Sequence, residues 1–287
     1  MEKTNFDTNN IINNSIESVA NDKIKYLKKL IDSSAFRKSE GFFVIQTEKI
    51  INHAYKNNII IKSIYFTKKE LDKNYDNICM YKTKNINCIL ISDICAEKIS
   101  DFKSPQGFFA LCEKPKNFES IDKYEDTDII LNIKDKKQRI IALDNIQDPG
   151  NLGTIIRTAL AFGFDCAFLS SNCVDLFSSK VIRATMGAFF GYNIICCENL
   201  TEDLNHLKNS GFTIYGTLLD NEAKNLKEIV FSKKSVIIIG NEGHGISENI
   251  KNICDEKIYI PMKPFKGQIQ SLNAASAASV VMWEASK

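Results

Sequence analysis

Two nucleotide-binding signatures are missing from these 287 residues: the phosphate loop G-x-x-x-x-G-K-[ST] and the forward dinucleotide fingerprint G-x-G-x-x-G. Their absence argues against a P-loop nucleotidase and against a dinucleotide-dependent oxidoreductase. Histidine is scarce, and His53, His206 and His244 form no H-x-x-x-H pair; nine cysteines include no C-x-x-C, and Cys196 and Cys197 are adjacent. Neither a zinc site nor a disulfide framework fits that spacing, so no metal is expected and the cysteines are read as reduced, mostly buried small hydrophobes. There is no run of eighteen apolar residues, which excludes a spanning helix of the usual kind. The start, MEKTNFDTNNIINNS, is polar and has no apolar core of a signal peptide, so residues 1–14 are expected to be a disordered lead and the protein cytoplasmic.

What is present is the composition of a globular protein, 44% apolar and 25% charged, with length enough for two domains. The formal charge of +2 is unevenly spread: residues 1–115 carry 18 Lys/Arg against 14 Asp/Glu, while 139–287 carry 14 against 15. The positive excess lies in the N-terminal part, as expected for a part that touches an anionic polymer.

In NDKIKYLKKLIDSSAF, Ile24, Leu27, Leu30 and Ile31 recur at helical spacing with lysines on the other faces. FFVIQ, IKSIYFT, CILIS and GFFALCE read as strands, TEKIINHAYKN and DICAEKIS as helices, which makes 15–115 a small α/β domain. Residues 116–138 are charged and polar apart from DIILNI and read as a connector. From 139 to 287, strands IIALD, CAFLS, NIICC, FTIYGTLL and VIIIG alternate with helices, ending in SLNAASAASVVMWEASK. Such alternation predicts an α/β fold, a mostly parallel sheet with helices on both faces and ligands at the carboxyl ends of its strands.

Three loops belong at that end. In LDNIQDPGNLGTIIRTA, Asp148, Pro149 and Gly150 signal a turn, Asn151 stands where a helix cap is expected, and Arg157 follows on the helix. GNEGHGIS follows a buried strand with three glycines but no lysine; Glu242 would repel a phosphate, so a neutral or cationic ligand suits it better, although an ordinary turn has the same glycines. In IYIPMKPFKGQIQSLNAASAASVV, Ser271 or Asn273 caps the last helix, whose alanines and serines allow close approach.

NLGTIIRTA, IIIGNEGHGIS and IPM…SLNAASAA, in this order, resemble the three signature motifs of the SpoU/TrmH family of RNA ribose methyltransferases in the SPOUT superfamily. CVDLFSSKVIRATMGA between them is also similar. Upstream, SVANDKIKYLKKL, GFFVIQTEKI and SDFKSPQGFFALCEKP resemble the ribosomal-protein-like RNA-binding domain often fused to these enzymes.

The resemblance implies S-adenosylmethionine as methyl donor, a ribose 2′-hydroxyl as acceptor, a homodimer and a deep trefoil knot in the C-terminal domain, an exception to the rule against threading. By the same analogy Leu218, Gly240, Ile260 and Leu272 line the cofactor pocket, Arg157 assists the reacting hydroxyl, and Asn151, Glu242, Ser271 and Asn273 organise the site. Arg183, with Arg37 and Lys38 in the first domain, is expected to bind RNA. Large-subunit ribosomal RNA is the implied substrate; transfer RNA is the alternative, as is a non-catalytic RNA-binding protein on the same fold. Two departures stand out. KPFKG lengthens the loop after IPM, near Pro264 and Phe265, and QTE, Gln46 to Glu48, replaces the usual acidic residue followed by glycine.

Overall fold

The computed structural model describes residues 12–115, 138–220, 222–262 and 271–287. Most of the expected lead, the connector as far as residue 137 and the KPFKG loop lie outside them. The chain divides into two compact units: one runs to Pro115 and takes in Phe177–Arg183, the other runs from Lys116 to Leu176 and from Ala184 to Lys287.

In the first unit the elements are β1 (Asn14–Ile16), α1 (Asp22–Asp32), α2 (Ser34–Glu40), β2 (Phe42–Gln46), α3 (Glu48–Lys56) and β3 (Ile61–Phe66). After them come α4 (Lys68–Lys73), α5 (Tyr75–Thr83), β4 (Asn87–Ile91), α6 (Asp93–Ile99) and β5 (Phe108–Glu113). The sheet order is β1-β4-β3-β5-β2, with β5 antiparallel to both neighbours. Asn14, placed in the lead by its polar surroundings, opens β1 opposite Ile89, and the Asn13 N–H already donates to Cys88 O. Asn21 caps α1 by accepting from the Lys23 N–H, and the α1 residues Ile24, Leu27, Leu30 and Ile31 join Val44, Tyr65, Ile89 and Phe109 in one core. Each fully buried aliphatic side chain of that stripe contributes roughly 2 kcal/mol. Phe43 and Ile45 alternate with Val44 on β2 and are buried too, so the sheet is covered on both faces. Helices α4 and α5 fill a stretch to which the sequence reading assigns no element.

The second unit contains β6 (Gln138–Leu143), α7 (Pro149–Ala161), β7 (Cys166–Ser170), β8 (Asn193–Cys197), α8 (Leu200–Asn209), β9 (Thr213–Thr217) and β10 (Lys224–Asn225). It ends with β11 (Lys234–Ile239), α9 (Glu248–Lys251), β12 (Glu256–Tyr259) and α10 (Ala274–Ser286). Seven strands in the order β10-β12-β9-β11-β6-β7-β8 pair in parallel throughout. The inner strands β6 and β11 are therefore apolar on consecutive positions, as burial on two faces demands. Ile140, Ala142, Val236 and Ile238 pack toward Leu204 and Leu207 of α8. Ile141, Leu143, Ile237 and Ile239 alternate to the opposite face and are equally buried. The expected α/β class, with a parallel sheet, is borne out.

The stretch SKVIRATMGAFF, read as one helix, is instead a short helix Ser179–Thr185 and a 3-10 turn Ala188–Gly191. Met186 and Gly187 between them have φ of 54° and 78°, left-handed values that no α-helix continues through.

Candidate active site

Three loops leave the carboxyl ends of β6, β11 and β12. The first is closed by Asp148, which caps α7 by accepting from the Asn151 N–H at 2.7 Å, with Pro149 in the first helical turn. This corrects the expectation that Asn151 is the cap: proline's fixed φ sets the helix start one residue after Asp148, and Asn151 falls inside the first turn with its side chain free for another task. Gly153, one turn on, is required by packing, because a Cβ there would lie 2.4 Å from that of Ala184.

The second loop turns back on itself. Asn241 and Gly245 exchange backbone hydrogen bonds at 2.9 Å each, and Gly245 takes φ +70°. The returning backbone lies so close that a Cβ on Gly240 would sit 2.2 Å from the Gly245 carbonyl carbon. Glycine at 240 is thus demanded by the loop itself, whatever it binds. The Asn241 side chain braces the turn: its amide donates to Asn145 O at 2.8 Å, and its Oδ1 accepts from the Gly243 and His244 N–H groups at 2.9 and 3.0 Å.

The third loop ends at Asn273, which caps α10 by accepting from Ala275 and Ser276 N–H groups. Its own amide donates to Asn151 Oδ1 at 2.9 Å, and the Asn151 amide donates to Glu242 Oε1 at 2.9 Å. Glu242 also accepts from the Asp148 and Gln147 N–H groups at 3.3 and 3.4 Å. One hydrogen-bonded chain thus ties the three loops together. Burial pushes the Glu242 carboxyl up, but the bonds from Asn151 and from backbone N–H groups outweigh it and hold the pKa below the ordinary glutamate range. Glu242 is an anion whose work is to anchor.

Beside this chain lies a cavity of about 420 Å³, lined among others by Leu218, Gly240, Glu242, Ile260, Ser271 and Leu272. All four residues expected to hold a cofactor line it, together with two of those expected to organise the site. Its walls combine apolar side chains with the backbone of the 240–245 turn. Lys251, the lysine among the described residues of the lining, is engaged by Glu248 at 2.5 Å. Among the described residues, apolar walls, turn backbone and carboxylates without a free cation suit a nucleoside bearing positive charge better than a polyphosphate.

Residues 138–283 match the model of the SpoU rRNA methylase family. The chain belongs to that family. Residues 21–110 match an MRM3-like substrate binding domain. A 23S rRNA (guanosine(2553)-2′-O)-methyltransferase RlmP of Bacillus subtilis is 31% identical, over 93% of this chain and 97% of that protein. In fold, an AdoMet-bound rRNA methyltransferase from Sinorhizobium meliloti superposes with TM-score 0.80 at 24% identity, covering 94% of this chain and 96% of that one. The SpoU methyltransferase AviRb from Streptomyces viridochromogenes gives 0.76 at 22%, covering 93% and 96%. The family read from the three motifs is borne out.

In this SpoU family member the basic residues are placed unequally. Arg157 is exposed on α7, outside both the Asn151 chain and the cavity lining, on a stripe with Thr154, Leu160 and Ala161. In the first unit, Arg37 is 4% exposed and its guanidinium donates to Leu30 O and Ile31 O at 2.6 and 2.9 Å. The expectation that Arg37 binds RNA is corrected: its charge is spent on the carboxyl end of α1, where the last carbonyls lack partners and the helix dipole is negative. Lys38 next to it is exposed. Arg183 lies over the Phe102 ring at 4.4 Å and pairs with Asp101 at 3.8 Å, so its guanidinium is held while part of it stays in solvent. Among the described residues no group of three His, Cys, Asp or Glu is placed to hold a metal, and no helix is long and apolar enough to cross a membrane.

Sequence reasoning missed the capping role of Asp148 and the bracing role of Asn241. The D-P pair before NLG was signal enough for Asp148, since aspartate before an N1 proline is a cap pattern. For Asn241 the local signal was an asparagine two residues before a glycine, whose side chain can brace a turn; its other partner, Asn145, lies 96 positions away and leaves none.

Proposed function

We propose that this chain transfers a methyl group from S-adenosylmethionine to a ribose 2′-hydroxyl of large-subunit ribosomal RNA. The observation that carries the reading is the Asn273–Asn151–Glu242 chain beside a cavity whose lining suits a cationic nucleoside. The relative that is 31% identical along nearly the whole chain supports the substrate, as does the match of residues 21–110 to a substrate binding domain.

When bound, the cofactor supplies a methyl group already made electrophilic by its sulfonium. The turn backbone at Gly240 and the apolar side chains of Leu218, Ile260 and Leu272 hold the nucleoside, and Glu242 fixes the loop against α7 through Asn151. Positioning is the larger part of the task, because a ribose hydroxyl is a poor nucleophile that must meet the methyl in line. Arg157 binds an RNA phosphate and stabilises the oxygen as it loses its proton; guanidinium stays protonated and is not a base. Ser271 supplies a further hydroxyl at the cavity wall.

A homodimer in the cytoplasm belongs to the same reading. It is supported by Leu160, Val280 and Trp283, exposed by 40%, 42% and 55% on α7 and α10, the helix that also carries Arg157 and the last helix. In this reading Arg157, exposed on the same helix, serves the partner's cavity. A threaded C-terminal segment is the remaining part of the reading.

The test is transfer of labelled methyl from S-adenosylmethionine to unmodified total RNA separated into ribosomal and transfer fractions. Label is expected in the large-subunit fraction and absent with Arg157→Ala; label confined to transfer RNA would overturn the substrate.

A further inference from the structure

We infer that His244, at the apex of the 240–245 turn, is the residue that takes the proton from the substrate hydroxyl. This rests on reading the cavity as the site of methyl transfer. The proton of the hydroxyl must leave as the oxygen attacks, and a positioned base is the ordinary solution. Arg157 cannot accept it. Glu242 already accepts three hydrogen bonds, from the Asn151 side chain and the Gln147 and Asp148 N–H groups, and its basicity is lowered by them. Asp220 is held by Lys257 at 3.2 Å and by the Glu222 N–H at 3.1 Å. Ser271 and the two asparagines are not bases at neutral pH.

His244 lines the same cavity and is exposed. Its ring orientation can be worked out from its neighbour. The Asn241 amide is fixed the right way round, because its nitrogen donates to Asn145 O at 2.8 Å while its oxygen accepts from two backbone N–H groups. That same oxygen faces His244 Nδ1 at 3.2 Å. An amide oxygen has no hydrogen to give, so Nδ1 must carry the proton in this contact. In the neutral ring the lone pair is then on Nε2, for which no hydrogen bond is found among the described residues. The turn thus presents the tautomer that a proton acceptor needs, and a backbone-braced asparagine sets it.

The step balances as follows. The ribose O–H bond breaks and its proton goes to Nε2; the oxygen pair forms the new O–C bond to the methyl; the C–S pair stays on sulfur, which loses its positive charge. The imidazolium then gives its proton to water. The charge carried in by the sulfonium leaves as that proton.

The experiment has two arms on the full-length protein. In the first, nitrogen-15 spectra of the histidine rings, assigned with His244→Gln, report the neutral tautomer without cofactor or RNA. The Nδ1–H form is expected; the Nε2–H form overturns the inference. In the second, single-turnover methylation of unmodified large-subunit ribosomal RNA made in vitro is followed against pH. His244→Ala is expected to slow the step about 100-fold at saturating RNA and S-adenosylmethionine. Cofactor affinity should be unchanged, the fall in rate at acid pH should vanish, and added imidazole should restore part of the rate. Asp220, Glu242, Lys251 and Tyr259 are the other titratable groups among the described residues lining the cavity, so loss of the acid limb on substituting His244 alone assigns it to the imidazole. A variant within about twofold of the parent, with the same pH profile, overturns the inference. Failure of the parent protein itself to methylate any RNA would instead sink the functional reading, and the tautomer arm still decides the ring's state.

Discussion

Asn273 gives a side-chain N–H to the oxygen of Asn151, 122 positions earlier, at 2.9 Å. Because the Asn151 nitrogen is simultaneously committed to Glu242, the amide can point only one way, and the loops after β6, β11 and β12 are held in a single relative arrangement. A network of this kind is sensitive to the loss of any one member, since the partners left behind must find water or stay unpaired.

Asn151→Asp is nearly isosteric yet replaces the donor to Glu242 with a second carboxylate. Methyl transfer is expected to fall at least tenfold with the fold retained. Comparison of initial rates and circular dichroism for the two proteins checks this; a rate equal to the parent's would show that the chain is incidental.

Glu242 links stability to pH. Its folded pKa is depressed, so the stability it contributes is fully present above the unfolded value, roughly 4.3, and is lost as pH falls through the folded one. Glu242→Gln should therefore lower the urea midpoint at pH 7, and the gap between variant and parent should narrow by pH 3.5. A gap that widens in acid would contradict the direction of the shift.

Two of the three glycines of the turn should behave differently. Gly240→Ala puts a Cβ within 2.3 Å of the Ile246 backbone nitrogen, and neither chain segment can move without breaking the Asn241–Gly245 pair. Overpacking of this kind costs about 1–3 kcal/mol, and cofactor binding should be lost with it. Gly243→Ala meets nothing nearer than Asn241 Oδ1 at 3.6 Å and should bind S-adenosylmethionine as the parent does. Isothermal titration of both variants decides the matter.

Adjacent basic residues of the first unit provide a fourth contrast. Arg37→Ala removes two hydrogen bonds from a buried guanidinium and is expected to destabilise the protein by about 3 kcal/mol. Lys38→Ala should leave thermal stability unchanged, and any loss of RNA affinity should appear there and not through a folded Arg37 variant. Melting curves and RNA titrations on the same preparations separate the two effects.

Much of this molecule was legible because its signals are local. The stripe Ile24, Leu27, Leu30, Ile31 and the apolar runs at β6 and β11 follow from helical period and two-sided burial, and each was placed correctly. Helix α5 was not seen, because YDNICMYKT buries only Ile78 and Tyr81 and its apolar period is weak. Arg37 was misread for a physical reason: a basic pair, Arg37-Lys38, looks solvated unless the open carbonyls of the preceding helix are counted. At the site, the three motifs gave the loops and the cavity residues. The partners that orient them, Asn145 for Asn241 and Asn273 for Asn151, come together only through the sheet, and no short window of sequence carries that information.

The central claim is ribose methylation, and alkaline hydrolysis of the labelled RNA tests it most directly. A methyl on the 2′-oxygen removes the nucleophile that cleaves the adjacent phosphodiester. Label recovered in an alkali-resistant dinucleotide from large-subunit RNA, and absent with Arg157→Ala, is the expected result. Label released as a mononucleotide would place the methyl on a base and contradict it.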